Sequence, residues 1–418
     1  MTPQHPPSTT TVFLDQPPSC LQFHPTSPNH LVIGTYLLSE HSDADGSIQQ
    51  TKTGSLQLWH LDPATHQLSL IEKLPLPHAV FDLHFHPQDP TLLGIATSAG
   101  SVSFYRVAIT ATETSSHIIT HLATHQAHPT PNIPALFLAW TPPDWPLPKN
   151  TDFGFAVTFS DGSTTLFASH GLSPLSQPQL TPLGTFNATQ PIEVWFVALA
   201  TIPSTSPSTP SPSSPSSTPY LFTGNDFGSV HTRSFDPTAL TTTPDDQDGD
   251  GEGDLTPLLS HDDRSRHHTA GVTAILPLPI PLDLTGGAPW LLTGSYDESL
   301  RVYCGAGGGV WRLRVLESRL DVNEWVGLVL ASCMHGGTRV VRVRVSVGGE
   351  GEGCEMEVLA EFTEHESMNY ASDVWGGVGA GDVAEATEGA TGQARERKRV
   401  VVSSSFYDRR VCVWMVDV

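Results

Sequence analysis

One stretch, Trp290 to Leu313 (WLLTGSYDESLRVYCGAGGGVWRL), constrains the fold more than any other part of the chain. Trp290 to Thr293 is a short apolar run, Gly294 to Glu298 carries turn residues, and Ser299 to Tyr303 alternates polar with apolar. That order reads as strand, tight turn and strand, and a glycine-rich link then leads into a further strand at Val310. The Asp297 carboxylate sits where it accepts hydrogen bonds from backbone N–H groups of its own turn, which holds the two strands in register. Such a unit exposes unpaired edges and has an uncovered apolar face, so it is not stable alone and has to recur.

It recurs along the whole chain. The first unit runs from Cys20 to Leu61 and the compact second from Val80 to Val107. The third collects ALFLAWTPPD, FGFAVTFSDG and STTLFAS; the fourth IEVWFVAL, YLFTGNDFG and SVHTRSF. GVTAILPL begins the fifth, which contains the opening stretch, and the sixth has GVWRLRVLE, GLVLASCMHGG and TRVVRVRV. The seventh has MNYASDVWG, VVVSSSFYD and RRVCVWMV. In six units the segment before the next unit supplies a fourth strand, such as Leu68 to Leu76 after the first. The seventh lacks such a segment, and TTVFLD (Thr10 to Asp15) is an orphan strand that would complete it and close a ring. The expected fold is all-β: residues 1–418 form a single seven-bladed β-propeller closed by an N-terminal strand.

Composition agrees with short strands. The chain has 35 Gly and 36 Pro in 418 residues, and no stretch sustains a 3.6-residue apolar period. The inserts between strands are expected to be disordered loops at about 204–218, 241–265, 348–357 and 376–397. A formal net charge of −23 argues against sequence-independent nucleic-acid binding and against anionic membrane surfaces. Arg395 to Arg399 (RERKR) reads as a solvated charge run. Five widely spaced cysteines without a CxxC pair argue against a disulfide framework or a zinc ribbon. The start MTPQHPPSTT lacks the pattern of a signal peptide, and no apolar run approaches the roughly 20 residues that span a bilayer. The chain is expected to be soluble, cytosolic and monomeric.

Several clusters invite a chemical reading. Asp246, Asp248, Asp250 and Gly251 match the first half of a calcium loop, but Pro257 stands where the bidentate Glu is needed. His84 and His86 share a strand face, yet Phe-His-Pro recurs at 23–25 and 85–87, which points to a structural turn. His117, His121, His125 and His128 lie in a link that reads either as a helix or as the outer strand of the second blade. No metal and no cofactor is expected. Asp161, Asp226, Asp297 and Asp408 occupy equivalent turns in four units. His268 could reach Asp297, with Ser295 and Tyr303 behind it; that chain is either a triad-like arrangement or a buried network tying strands together.

The repeats resemble WD40 blades, with Trp59 and Trp414 in the place of the WD tryptophan. Most units lack the GH and WD dipeptides of that pattern. In the C-terminal half, TGSYDESLRVY (293–303), GGGVWRLRV (307–315), ASCMHGG (331–337), EHESMNYASDVW (364–375) and SSSFYDRRVCVW (403–414) resemble the WD-repeat methylesterase family of diphthamide synthesis. RHHTAGV (266–272) adds a sixth block. The resemblance implies hydrolysis of the methyl ester of methylated diphthine on a modified histidine of translation elongation factor 2, without a cofactor. That substrate carries a quaternary ammonium beside the ester, and such a cation favours aromatic faces and carboxylates. Tyr296, Trp311, Tyr370, Asp373, Trp375, Tyr407 and Asp408, drawn from the matching blocks, are therefore the expected substrate-binding residues. His335 and His365, with Asp297, are the catalytic candidates. Gly336 and Gly337 either present backbone N–H donors to an oxyanion or simply form a turn with positive φ, and Cys333 is a possible nucleophile. The alternative is a non-catalytic WD40 scaffold that gathers protein partners.

Overall fold

Each repeated unit folds as one antiparallel sheet, because its apolar runs are too short for helices and are punctuated by turn residues. The computed structural model describes residues 2–42, 48–109, 118–170, 179–204, 217–241, 255–263, 268–302, 311–347, 353–377 and 397–418. After β1 (Ser8–Phe13), the first sheet takes β2 (Pro18–Phe23), β3 (His30–Thr35), β4 (Leu37–Ser42), β5 (Ile48–Leu61) and β6 (Leu68–Leu76). The second contains β7 (Val80–Phe85), β8 (Leu92–Thr97), β9 (Ser101–Val107) and β10 (Ile119–Gln126). The third contains β11 (Ala135–Trp140), β12 (Phe153–Phe159), β13 (Ser163–His170) and β14 (Gln179–Asn187). The fourth contains β15 (Val194–Pro203), β16 (Ser217–Asn225), β17 (Val230–Ser234) and β18 (Leu259–Asp263). The fifth has β19 (Val272–Pro277), β20 (Leu291–Ser295) and β21 (Leu300–Val302). The sixth has β22 (Arg312–Leu320), β23 (Glu324–Cys333), β24 (Gly337–Ser346) and β25 (Cys354–Phe362). The seventh takes β26 (Asn369–Val374), β27 (Lys398–Ser405) and β28 (Arg410–Asp417), and β1 pairs antiparallel with β28 as its outer strand.

The first strands of the seven sheets neighbour one another in turn, and β26 lies beside β2, so the order runs round a closed ring. The core sits between blades. One cluster joins Cys20, Val32 and Leu58 of the first sheet to Val80, Leu83 and Ile95 of the second. Another joins Ala371, Val402 and Val413 of the seventh to Leu21, Leu31 and Ile33 of the first. Between the sixth and seventh, Phe362 stacks on the fully buried Trp414 with ring centroids 5.1 Å apart. Burying a side chain of that size contributes roughly 2–3 kcal/mol. Outer strands alternate instead: β10 buries Ile119 and Ala123 and exposes Thr120, His121 and Thr124.

Several expectations need amendment. The ends of three inserts are ordered strand: Ser217 and Thr218 belong to β16, β18 forms inside 241–265, and β25 begins at Cys354. β18 forms because Leu259–Asp263 finds the free edge of β17, a pairing that local composition does not signal. Most of the remaining insert residues, including the Asp246–Gly251 candidate, lie outside the described residues, as does His117. The polar insert of the first unit is a hairpin arm in which β4 pairs with the first half of β5. His121 and His125 lie on the outer strand β10. His24 and His86 each cap their own turn, with Nδ1 accepting the N–H of Ser27 at 3.1 Å and of Asp89 at 2.9 Å.

Candidate functional site

Six innermost strands carry the same irregularity. The pairing register skips one residue near the start of β2, β7, β11, β15, β19 and β26, between Pro18 and Cys20, Val80 and Asp82, Ala135 and Phe137, Val194 and Phe196, Val272 and Ala274, and Asn369 and Ala371. Each bulge frees one residue from the ladder and re-aims its side chain. The freed residues are Ser19, Phe81, Leu136, Trp195, Thr273 and Tyr370, and all six line one cavity of about 520 Å³ at the mouth of the ring.

The loops that follow the second strands add Tyr36, Tyr296, Phe406 and Tyr407 to the wall, and Trp311 enters it just before β22. Trp311 stands at the centre of an aromatic cluster, 4.7 Å from the Tyr370 ring, 5.6 Å from Tyr296 and 6.0 Å from Trp195 by centroids. The cluster continues through Tyr370 to Phe406 at 5.3 Å, Phe406 to Tyr36 at 6.1 Å, and Tyr36 to Phe81 at 5.3 Å. The exposed ring of Tyr407 forms the outer lip, 5.1 Å from Phe406. Burial raises the Tyr370 phenol to about 12, and burial with the nearby Tyr370, Asp226 and Glu193 raises that of Tyr296 further, so both stay neutral hydroxyls near pH 7. The Trp195 indole N–H donates to Asp226 at 2.7 Å, which fixes its ring at the rim. Gly271 permits this arrangement: a Cβ there would lie 2.7 Å from the Asp226 carboxylate and 2.8 Å from Tyr296.

At the floor, Arg312 of β22 reaches across the channel to an ion pair with Asp82 of β7 and lies over the Phe137 ring at 5.8 Å. Burial alone would raise the Asp82 carboxyl, but Arg312 and His84 more than offset it and hold it at about 2. Arg312 and Phe137 also line a deeper cavity of about 280 Å³ that contains an ion pair between Arg314 and Asp373. A third cavity, about 220 Å³, adjoins the aromatic one through the shared Tyr296 and is lined by Glu298, Cys333, His335 and Arg339 among others.

Of the expected substrate-binding residues, then, Tyr296, Trp311, Tyr370 and Tyr407 come together. Asp373 lies deeper in the channel, where its carboxylate accepts the Phe23 N–H at 2.8 Å from the next blade. Trp375 is outside the cavity; its indole N–H donates to Asn29 at 2.9 Å and its ring packs on the core between the seventh and first blades. Asp408 is taken up by its turn, accepting the Ser367 hydroxyl at 2.7 Å and the Glu366 N–H at 3.1 Å.

The catalytic candidates separate. His335 is exposed and lines the cavity that adjoins the aromatic one. His365 does not line these cavities: its Nε2 pairs with the Ser403 hydroxyl at 2.8 Å and its Nδ1 with Ser405 at 2.9 Å. The Trp414 indole N–H donates to the same Ser403 at 3.1 Å, which makes a buried chain across the blade. Burial lowers the His365 imidazole to about 4, so it is neutral and fully engaged. Asp297 is likewise structural. Its carboxylate holds His268 Nδ1 at 3.0 Å and the N–H groups of Thr269 and Ser299, both at 2.9 Å. His268 Nε2 continues to Thr293 at 2.9 Å, not to Ser295, and Tyr303 lies outside the described residues. The buried-network alternative is the one the geometry matches.

Gly337 has φ +72°, and a Cβ there would lie 2.0 Å from the Phe362 carbonyl oxygen, so the turn requires it. The same turn position is left-handed in Gly100, Gly162, Gly228, Glu298 and Arg409, which aligns the turns and shifts Asp226 by one: it matches Tyr296, not Asp297. Cys333 is buried, and burial pushes its thiol up to about 11, which leaves little thiolate. Among the described residues no group of three or more His, Cys, Asp or Glu side chains is arranged to hold a metal ion. No helix of the described residues is long and apolar enough to cross a membrane.

Sequence reasoning missed Tyr36, Phe81, Trp195, Phe406 and Arg312. The signal for Phe81 and Trp195 was present as an extra residue between the turn and the alternating core positions of β7 and β15.

No family model matches the chain. A diphthine methyltransferase from Schizosaccharomyces pombe is 25% identical over 159 residues, which cover 35% of this chain and 38% of the relative. The match thus spans well under half the length of that relative. Among solved structures, Sqt1 of Chaetomium thermophilum superposes with a TM-score of 0.50 at 16% identity, covering 97% of each chain. A second structure of Sqt1 from the same organism, bound to the N-terminus of the ribosomal protein L10, gives 0.49 at 15% identity over 96% of this chain and 97% of the other. At these identities the structural likeness concerns the fold, which is the seven-bladed WD-repeat β-propeller.

Proposed function

We propose that this propeller is a methyl ester hydrolase acting on methylated diphthine of translation elongation factor 2 in the cytosol. The observation that carries the reading is the aromatic cavity itself: the Tyr370, Tyr296 and Trp195 rings gather 4.7 to 6.0 Å from that of Trp311, and Trp195 lies 6.1 Å from Tyr296. A desolvated aromatic box of this kind favours a quaternary ammonium by roughly 2 kcal/mol or more. The partial likeness to a diphthine methyltransferase supports the same substrate.

In this reading the trimethylammonium group occupies the aromatic cavity and the adjacent ester faces Tyr296. His335, in the adjoining cavity, takes a proton from water as the oxygen attacks the acyl carbon. The acyl C–O bond breaks, methoxide leaves and is protonated to methanol, and a carboxylate remains for amidation. Incubation with elongation factor 2 bearing the methyl ester, followed by mass spectrometry of the modified-histidine peptide, should show loss of one methylene mass. An unchanged peptide mass with correctly modified substrate would overturn the assignment.

The second reading is a binding module. Its support is that the lining of the aromatic cavity contains no histidine and no carboxylate among the described residues. On that reading the modified peptide binds and its mass stays constant.

A further inference from the structure

The floor of the aromatic cavity has a donor that its partner leaves underused. Arg312 has a side chain only 15% exposed and gives Nη2 to Asp82. Its buried Nε–H has no hydrogen-bond partner among the described residues. A guanidinium carries five N–H donors in a rigid fork, and a buried one left unpaired is costly, so such a group is normally completed by a ligand or water. Arg312 lines the aromatic cavity together with Tyr296, Trp311 and Tyr370, and also the deeper cavity beneath, so a planar donor set stands at the base of the cation box.

We infer that the cavity is a betaine-type zwitterion site, in which the aromatic walls take the quaternary ammonium and Arg312 takes the adjoining carboxyl oxygen. Three observations converge on it. The aromatic walls are neutral and attract the cation without a counter-carboxylate in the lining. Asp82 neutralises Arg312 from below, so the floor offers hydrogen-bond donors without a full repulsive charge toward the ammonium. The Phe137 ring, with its centroid 5.8 Å from the guanidinium carbon, supports the group from the side. The inference deepens the proposed function, on which its biological meaning rests: an ester carbonyl would meet the same donors, and the carboxylate product would meet them more strongly.

The test is calorimetric or NMR titration of the intact protein with two probes, trimethylglycine and tetramethylammonium. Charge-assisted hydrogen bonds predict that trimethylglycine binds about tenfold or more tightly. Arg312→Lys keeps a positive charge beside Asp82 but loses the fork, and should cut that preference to about threefold or less while leaving tetramethylammonium affinity near its wild-type value. The double variant Arg312→Gln with Asp82→Asn, which leaves no buried charge, should abolish the preference and serves if the lysine variant does not fold. Equal affinity for the two probes in the wild type, no binding of either, or a preference retained in both variants would overturn the inference. Zwitterion binding without ester hydrolysis would sink the proposed function and leave this site standing; hydrolysis without the preference would do the reverse.

Discussion

His365→Ala separates a structural histidine from a catalytic one, because its cost can be worked from the geometry. The ring bridges Ser403 and Ser405, both fully buried, and Ser403 also takes the Trp414 indole N–H. Removing it leaves at least one buried hydroxyl short of a partner and a void beside Phe362, whose ring lies 5.2 Å away. The unmade hydrogen bond costs about 1–3 kcal/mol and the lost packing adds to it, so roughly 2–4 kcal/mol is expected at pH 7. The pH dependence is the sharper signature. Burial depresses the folded imidazole to about 4; Asp408 and Glu364 favour its charged form, Arg410 opposes it, and burial outweighs them. The unfolded value is about 6.5, so between the two the unfolded chain binds the extra proton. The stabilising contribution is therefore complete above about pH 6.5 and is lost as pH falls toward 4, by roughly 2 kcal/mol between pH 7 and pH 5. His24, His30, His86 and His125 are also depressed, but they are present in both proteins and cancel in the difference. Denaturant unfolding of wild type and variant at the two pH values measures it. Equal losses on acidification, or a variant as stable as wild type with hydrolysis abolished, would refute the reasoning and return His365 to the catalytic set.

Two further outcomes follow from the same geometry. Gly337→Ala should destabilise by about 1–3 kcal/mol or more because of its left-handed φ and the Phe362 carbonyl oxygen, whereas Gly336→Ala, whose Cβ would first meet Cys333 Cβ at 3.2 Å, should cost far less; thermal unfolding of the pair decides it. Cys20, Cys333 and Cys412 are buried, and burial raises their thiols to about 12, 11 and 11, so native protein at pH 8 should leave all three unalkylated by iodoacetamide while urea exposes them; mass mapping of labelled peptides checks it.

The ring was legible because each unit repeats strand, turn and strand with its own punctuation, down to the recurring Phe-His-Pro turns. Four of the aromatic wall residues were legible too, since Tyr296, Trp311, Tyr370 and Tyr407 lie in the blocks of the C-terminal half. Phe81 and Trp195 were harder to read, because the skip that brings them to the mouth shows in the sequence only as one extra residue before the alternating core positions, and Tyr36 reaches it from the loop after β3. The carboxylates misled for the opposite reason. Asp297 and Asp408 look available in sequence, yet backbone N–H groups and neighbouring side chains consume their oxygens once the turn closes. His365 could be told from His335 only by its partners on strand β27, nearly forty positions away.

Placing the mouth residues at skipped positions of the ladder has a consequence for how this protein can change. Phe81, Leu136, Trp195 and Tyr370 contribute no rung to the sheets, so each is exchangeable without breaking a neighbour's pairing, whereas the Ser19 hydroxyl also donates to the Gly34 and Val80 carbonyls and so ties the first blade to the second. At those four positions ligand preference and architectural integrity are thereby written in separate residues of the same strand. A wheel built this way can acquire a new appetite one side chain at a time and keep its rim intact.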